Sequence, residues 1–203
     1  MKKCYIVGAG DMTKTTINIP QGSFVISADG GYEHLRKANI LPDIAMGDFD
    51  SLGFVPEDVQ TIVFPCEKDY PDMMLAVDEA VKRGYDDIVI YGALGGRMDH
   101  TLGNLQMLSY FSQKEIKIAL EDDSTLITAI SDTEIEFESR DKGLISVFAF
   151  GGMAWGVTIK GLKYTLDDAT LDASIPIGVS NEFIGEKAII SVENGTLILI
   201  VEK

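Results

Sequence analysis

Six short apolar runs punctuate the chain up to about residue 120. They are CYIVGAG, SFVISADGG, DIAMGDFDS, QTIVFPCE, DIVIYGALGG and IKIALEDD. Their apolar positions are continuous rather than alternating, the pattern of parallel strands covered on both faces. Helical patterns lie between them over Gly31–Asn39, Pro71–Arg83 and Thr101–Ser112. The middle one is best bounded. Pro71 suits the first helical position, Asp72 suits the positive end of the helix dipole, and Gly84 is placed to end it. Alternation of strand and helix predicts a Rossmann-like α/β domain with a parallel sheet.

From about Ser124 the pattern changes. TEIEFES alternates strictly, and GLISVFAF, GVTIKGLKYTL and KAIISVENGTLILIVEK read as strands. The last contains Asn194-Gly195, a hairpin turn signal. No helix is expected after Gln113. The second half therefore reads as an antiparallel β-sandwich, with the α/β domain over residues 1–122 and the sandwich over 123–203.

Charge narrows the partners. The 203 residues carry a net charge of −15, a surface that repels nucleic acid and anionic lipid. A phosphate-bearing ligand then needs local cations, a metal ion or a helix N-terminus. The two cysteines, Cys4 and Cys66, form no CxxC pair, and with two histidines a structural zinc site is not expected. The basic start MKKC is followed by too few apolar residues for a signal peptide, and no segment is long enough to cross a membrane as a helix. These features predict a cytoplasmic protein with reduced thiols and no membrane partner.

In open α/β sheets ligands bind beyond the C-terminal ends of the strands. Four successive ends here are polar. They carry Asp29 with Gly30 and Gly31; Asp48 and Asp50; Lys68, Asp69 and Asp72; and Gly95, Gly96, Arg97, Asp99 and His100. A single DxD is ordinarily a solvated turn or a helix cap, and His100 with Asn104 is an ordinary surface pair. Their joint occurrence at four ends points to chemistry. Crowded carboxylates are costly unless a hard cation such as Mg²⁺ neutralises them, and Mg²⁺ is held by one or two carboxylates plus substrate phosphates. Arg97 and Lys68 supply positive charge for a polyphosphate. Gly95-Gly96 lets backbone N–H groups approach it. Metal-assisted phosphoryl or diphosphoryl transfer is the chemistry this predicts. VGAGDMT imitates a dinucleotide fingerprint, with Asp29 at the spacing of a ribose-binding acid. However, Thr13 stands where the third glycine belongs, and MTKTTINIPQG is too β-branched for the required helix.

The segments ADGGYEHLRKANILPDIAMGDFDS, EKDYPDMMLAVDEA and GALGGRMDHTLGNLQML resemble the thiamine pyrophosphokinase family, as do GVTIKGLKYTL and GVSNEFIG. The resemblance runs from about Ile6 to Val201. It implies a homodimer with shared active sites that moves a diphosphate from ATP to the hydroxyethyl group of thiamine, giving thiamine diphosphate and AMP with Mg²⁺. Matched residue by residue, Asp48, Asp50 and Asp72 are the implied metal ligands, and these with Arg97 and Asp99 of the GRxD signature form the catalytic set. Asp29, Lys68, Asp69, His100 and Asn104 fall on the ATP and phosphate side. Tyr164, Ser180 and Asn181 fall on the thiamine side, and Trp155 is read as structural. Where the family carries Thr-Asp this chain has Pro71-Asp72, which removes a hydroxyl and a backbone donor. Two alternatives carry the same fold: a pyrophosphokinase for another small heterocyclic alcohol, and a non-catalytic thiamine- or nucleotide-binding regulator.

Overall fold

The computed structural model describes residues 1–13 and 15–203. It divides into two compact units. The first is Met1–Asn104 with Ile118–Asp123, and the second is Leu105–Lys117 with Ser124–Lys203.

In the first unit the elements run β1 (Lys3–Val7), β2 (Phe24–Ala28), α1 (Gly31–Lys37), β3 (Ile44–Gly47), β4 (Gln60–Val63), α2 (Asp72–Lys82) and β5 (Asp87–Tyr91). The start of α3 (Met98–Ser112) and β6 (Lys117–Glu121) complete it. The strand order is β6-β5-β1-β2-β3-β4. The five strands from β5 to β4 pair in parallel. All six apolar runs thus became strands, and the three helical patterns became helices. The central strands are buried on both faces, which explains their unbroken apolar runs: Cys4–Val7, Val25–Ala28 and Ile88–Tyr91 are all buried.

Between β1 and β2 no helix forms among the described residues. An irregular segment crosses instead, and its Met12, Ile17 and Ile19 pack onto the cluster of Tyr5, Val7, Val25, Leu35, Val89 and Tyr91. Its β-branched residues and Pro20 favour this extended path. Pro71 lies one position outside the predicted place. It is the N-cap of α2 with extended backbone (φ −59°, ψ 150°), and its carbonyl accepts the first helical bond from Leu75 at 3.1 Å. Asp72 is therefore the first helical residue.

The second unit contains β7 (Thr125–Ser131), β8 (Glu134–Phe137), β9 (Leu144–Ala149), β10 (Met153–Lys160), β11 (Leu166–Asp172), β12 (Asn181–Glu182), β13 (Ala188–Ser191) and β14 (Thr196–Glu202). One sheet is ordered β12-β9-β14-β7 and the other β11-β10-β13-β8. All their described pairings are antiparallel. Inward residues of both sheets, among them Ile145, Val147, Val157, Ile159, Ile190, Leu197 and Leu199, share one apolar core. Each such fully buried aliphatic side chain contributes roughly 1.5–3 kcal/mol before entropy is counted.

Two local expectations are corrected in this unit. Asn194-Gly195 does not close a hairpin, because β13 and β14 lie in opposite sheets. Asn194 instead bridges to Trp155, and the Gly195 N–H donates to Asp132 Oδ1 at 2.8 Å, so the turn hands the chain across the sandwich. The run GVTIKGLKYTL is also not one strand. It breaks at Gly161 (φ +71°), where a Cβ would lie 2.0 Å from the Lys187 carbonyl oxygen. Tyr164 therefore sits on the loop between β10 and β11.

Candidate active site

The rim of the first unit is built by strand ends that press against one another. Asp29 follows β2 in the left-handed region (φ +48°), and its N–H donates to the Met46 carbonyl at 2.7 Å. Gly47 ends β3 with φ +153°, and a Cβ there would lie 3.0 Å from Asp29 Cα. Only glycine lets the two strand ends come this close. Asp48 and Asp50 follow, and the residue between them answers why two like charges stand so near. Phe49 is left-handed (φ +57°) and buried, packed with Tyr32 and Ala45 against Leu52 and Val59. Its ring anchors the turn while the flanking carboxylates remain at the rim.

Oxygens of Asp29, Asp48 and Asp50 all lie within 4.8 Å of one another. Asp29 Oδ2 accepts a hydrogen bond from Ser51 Oγ at 2.9 Å, whereas its buried Oδ1 has no partner. Lys68, mostly buried, bridges two elements: its Nζ donates to Asp48 Oδ2 at 2.8 Å and lies 3.0 Å from Asp72 Oδ1. The second approach is an ion pair too oblique for a hydrogen bond, so Asp72 Oδ1 is left without one.

These contacts separate the carboxylates electrostatically. The Lys68 hydrogen bond holds the Asp48 carboxyl below its ordinary range, outweighing burial. Burial pushes the Asp72 carboxyl above its ordinary range; Lys68 offsets this only partly, and the charges of Asp48 and Asp29 add to it. Burial pulls the Lys68 ammonium down, but its hydrogen bond to Asp48 and its ion pair with Asp72 together win and raise it. At neutral pH Lys68 is a fixed cation inside an acidic rim.

After β5 the chain turns through Gly95 and Gly96, both left-handed (φ +75° and +67°). A Cβ on Gly95 would lie 3.3 Å from Asp11 Cβ, which sets this loop beside the end of β1. Arg97 pairs with Asp99 through Nη2 at 2.6 Å, with both side chains exposed. Asp99 Oδ1 also accepts the His100 N–H at 3.0 Å, at the start of α3. Asn104, expected on the ATP side, donates from Nδ2 to the Ala93 carbonyl at 2.8 Å and so ties the glycine loop to the helix. Asp69 and His100 are exposed.

The structure thus gathers Asp29, Asp48, Asp50, Lys68 and Asp72. Sequence reasoning put Asp72 among the metal ligands and Asp29 on the ATP side. In the structure Asp29 completes the tight oxygen group, and Asp72 stands across Lys68. Phe49, Ser51 and Tyr32 were missed as site-builders. A lone aromatic between two aspartates, followed by serine, was the available signal.

In the second unit Asn181 is buried although polar. Its Oδ1 accepts the N–H groups of Tyr164 and Glu182, each at 2.9 Å, and its Nδ2 donates to the Tyr164 carbonyl at 2.7 Å. The amide therefore holds the Tyr164 loop by its backbone, leaving Tyr164 60% exposed. Ser180 is exposed and left-handed (φ +59°), with its N–H donating to Ser146 Oγ at 3.0 Å. Trp155, read as structural, is bound through its backbone, and the residue is 47% exposed.

An α/β unit with a carboxylate and lysine rim, followed by an antiparallel sandwich, describes a transferase of the kinase class. Comparison with known proteins makes this particular. Residues 18–120 match the model of the thiamin pyrophosphokinase catalytic domain, and residues 132–197 that of the thiamin pyrophosphokinase vitamin B1 binding domain. Thiamine pyrophosphokinase of Bacillus subtilis is 34% identical over 184 residues, spanning 86% of this chain and 85% of that protein. A crystal structure of thiamine pyrophosphokinase from Bacillus subtilis superposes with a TM-score of 0.89 at 30% identity, covering 100% of this chain and 99% of the other. One of thiamin pyrophosphokinase from Geobacillus thermodenitrificans gives 0.86 at 25% identity, covering 99% and 97%. The chain belongs to the thiamin pyrophosphokinase family.

Proposed function

We propose that the rim of the first unit binds ATP with Mg²⁺ and directs its diphosphate onto thiamine, giving thiamine diphosphate and AMP. The observation that carries this is the meeting of three carboxylates within 4.8 Å beside the partly buried cation Lys68, in a chain of this family. The residues fit the ion. The donors are hard oxygens, and Asp29 Oδ1 is buried without a hydrogen bond. When bound, Mg²⁺ would neutralise the carboxylates and the polyphosphate charge.

The protein's own groups do the rest. The hydroxyl oxygen of thiamine attacks the β-phosphorus of ATP in line, an O–P bond forms, and the bond to the AMP oxygen breaks. A rim aspartate takes the hydroxyl proton. Arg97 and Lys68 stabilise the charge that develops on the transferring group, and such electrostatic stabilisation is the main source of rate in phosphoryl-type transfers. Tyr164 offers an aromatic face for the thiamine rings, with Asn181 holding its loop and Ser180 preceding Asn181 in the chain. The working unit in this reading is a cytoplasmic homodimer, in which each site takes its phosphate residues from one subunit and its thiamine residues from the other. Exposed Ile175, Ile177 and Val179 in the second unit suit burial in such an assembly.

The test is to incubate the pure protein with ATP, Mg²⁺ and thiamine and identify products by mass spectrometry. AMP and thiamine diphosphate in equal amounts are expected. ADP with thiamine monophosphate would refute diphosphate transfer, and no turnover would favour a binding protein.

A further inference from the structure

We infer that Tyr32 is a positioning residue for the rim, tying the Asp29 segment to the Asp48–Asp50 turn so that the three carboxylates keep their spacing. This rests on the reading of the rim as a metal and phosphate site. Tyr32 touches both halves of that rim. Its backbone N–H donates to the Asp29 carbonyl at 3.2 Å. Its ring, 2% exposed, packs in one cluster with Phe49 and Ala45. Phe49 is the residue between the two aspartates, so the depth of its ring fixes where both carboxylates stand.

That depth needs support. An aromatic residue in the left-handed region is strained, and it persists only where its surroundings hold it. Tyr32 holds it through its hydroxyl as well as its ring. The hydroxyl donates to Asp58 Oδ1 at 2.5 Å, and Asp58 lies on the exposed segment that returns from the DFDS turn to β4. Phe54 of the same segment meets the Tyr32 ring edge-on, with centroids 6.3 Å apart. The bond to Asp58 therefore draws this segment down over Phe49. A phenylalanine at position 32 would fill the same space without fixing the segment's place.

Mn²⁺ serves as the probe, titrated by electron paramagnetic resonance against the full chain with α,β-methylene-ATP present. Tyr32→Phe keeps the ring and removes only the bond to Asp58. It is expected to weaken Mn²⁺ binding about tenfold, the scale on which groups that orient ligands act. The thiamine KM should stay unchanged and kcat should fall. Asp58→Asn retains an acceptor and should bind Mn²⁺ as the wild type does. If Tyr32→Phe does not fold, Asp58→Ala breaks the same bond from the surface and must show the same weakening. Wild-type Mn²⁺ affinity in Tyr32→Phe, or in Asp58→Ala, overturns the inference whatever the change in Tm. If the wild type binds no Mn²⁺, or Asp48→Asn binds it unchanged, the reading of the rim falls first and the inference with it.

Discussion

Asp72→Asn should make the protein more stable and less active, while Asp48→Asn should make it less stable and less active. The two carboxylates share Lys68, yet their environments act in opposite directions. Asp48 accepts a charge-assisted hydrogen bond at 2.8 Å, and its carboxyl is held low. Asparagine there leaves the Lys68 ammonium donating to a neutral amide oxygen and removes the charge–charge attraction, a loss of about 1–2 kcal/mol. At about 2–4 °C per kcal/mol for a chain of this size, Tm should fall by about 2–8 °C. Asp72 is held high by burial, with Asp48 and Asp29 repelling its charge. Neutralising it removes the cost of holding a charge out of water, which outweighs the lost attraction to Lys68 by a margin on the order of 1 kcal/mol, so Tm should rise by a few degrees.

The pH dependence follows from the same signs. The contribution of Asp48 is fully present above its unfolded pKa of about 3.9 and is lost as pH falls through its lowered folded value. Asp72 favours folding only below about 3.9, and that contribution is lost as pH rises through its raised folded value. The advantage of Asp72→Asn should therefore be complete at pH 7 and fade toward pH 4. The assay is thermal unfolding of both variants in EDTA from pH 4 to 8, with turnover measured beside it. Equal destabilisation by the two substitutions at pH 7 would refute the reasoning.

Three further outcomes are expected. Arg97→Ala should lower kcat/KM by roughly 10² or more, as loss of a transition-state stabiliser does, with little change in Tm because its partner Asp99 is exposed. Tyr164→Ala should raise the KM for thiamine and leave that for ATP nearly unchanged, and steady-state kinetics with each substrate varied would expose a wrong assignment if the thiamine KM did not move. Inactive Asp48→Asn and Asn181→Ala proteins, mixed under subunit exchange, should regain activity, because one composite site in each mixed dimer carries neither lesion. No recovery with exchange independently verified would rule out shared sites.

The continuous apolar runs made the strands of the first unit legible because parallel strands buried on both faces leave no alternating mark to confuse. The rim was legible for a related reason: parallel strands point their ends the same way, so charged residues after successive strands must meet. What the sequence hid depends on contacts distant along the chain. Asn194-Gly195 has hairpin chemistry, but its partners are Trp155 and Asp132, and they send the chain into the other sheet. Asn181 looks like a ligand contact until its amide is seen bound to the backbone of Tyr164, 17 residues earlier. Asp72 and Asp29 are equivalent as letters. Only the place of Lys68 and the close approach at Gly47 decide which one joins Asp48 and Asp50.

The central claim is that the carboxylates flanking Phe49 serve diphosphate transfer through a divalent cation. Its most direct test is turnover of Asp48→Asn against Mg²⁺ concentration, measured well below the variant's Tm. In the wild type EDTA should abolish activity and Mg²⁺ restore it. In the variant most activity should be lost at every Mg²⁺ concentration while the folded protein persists. Full activity in Asp48→Asn with wild-type Mg²⁺ dependence would contradict the account.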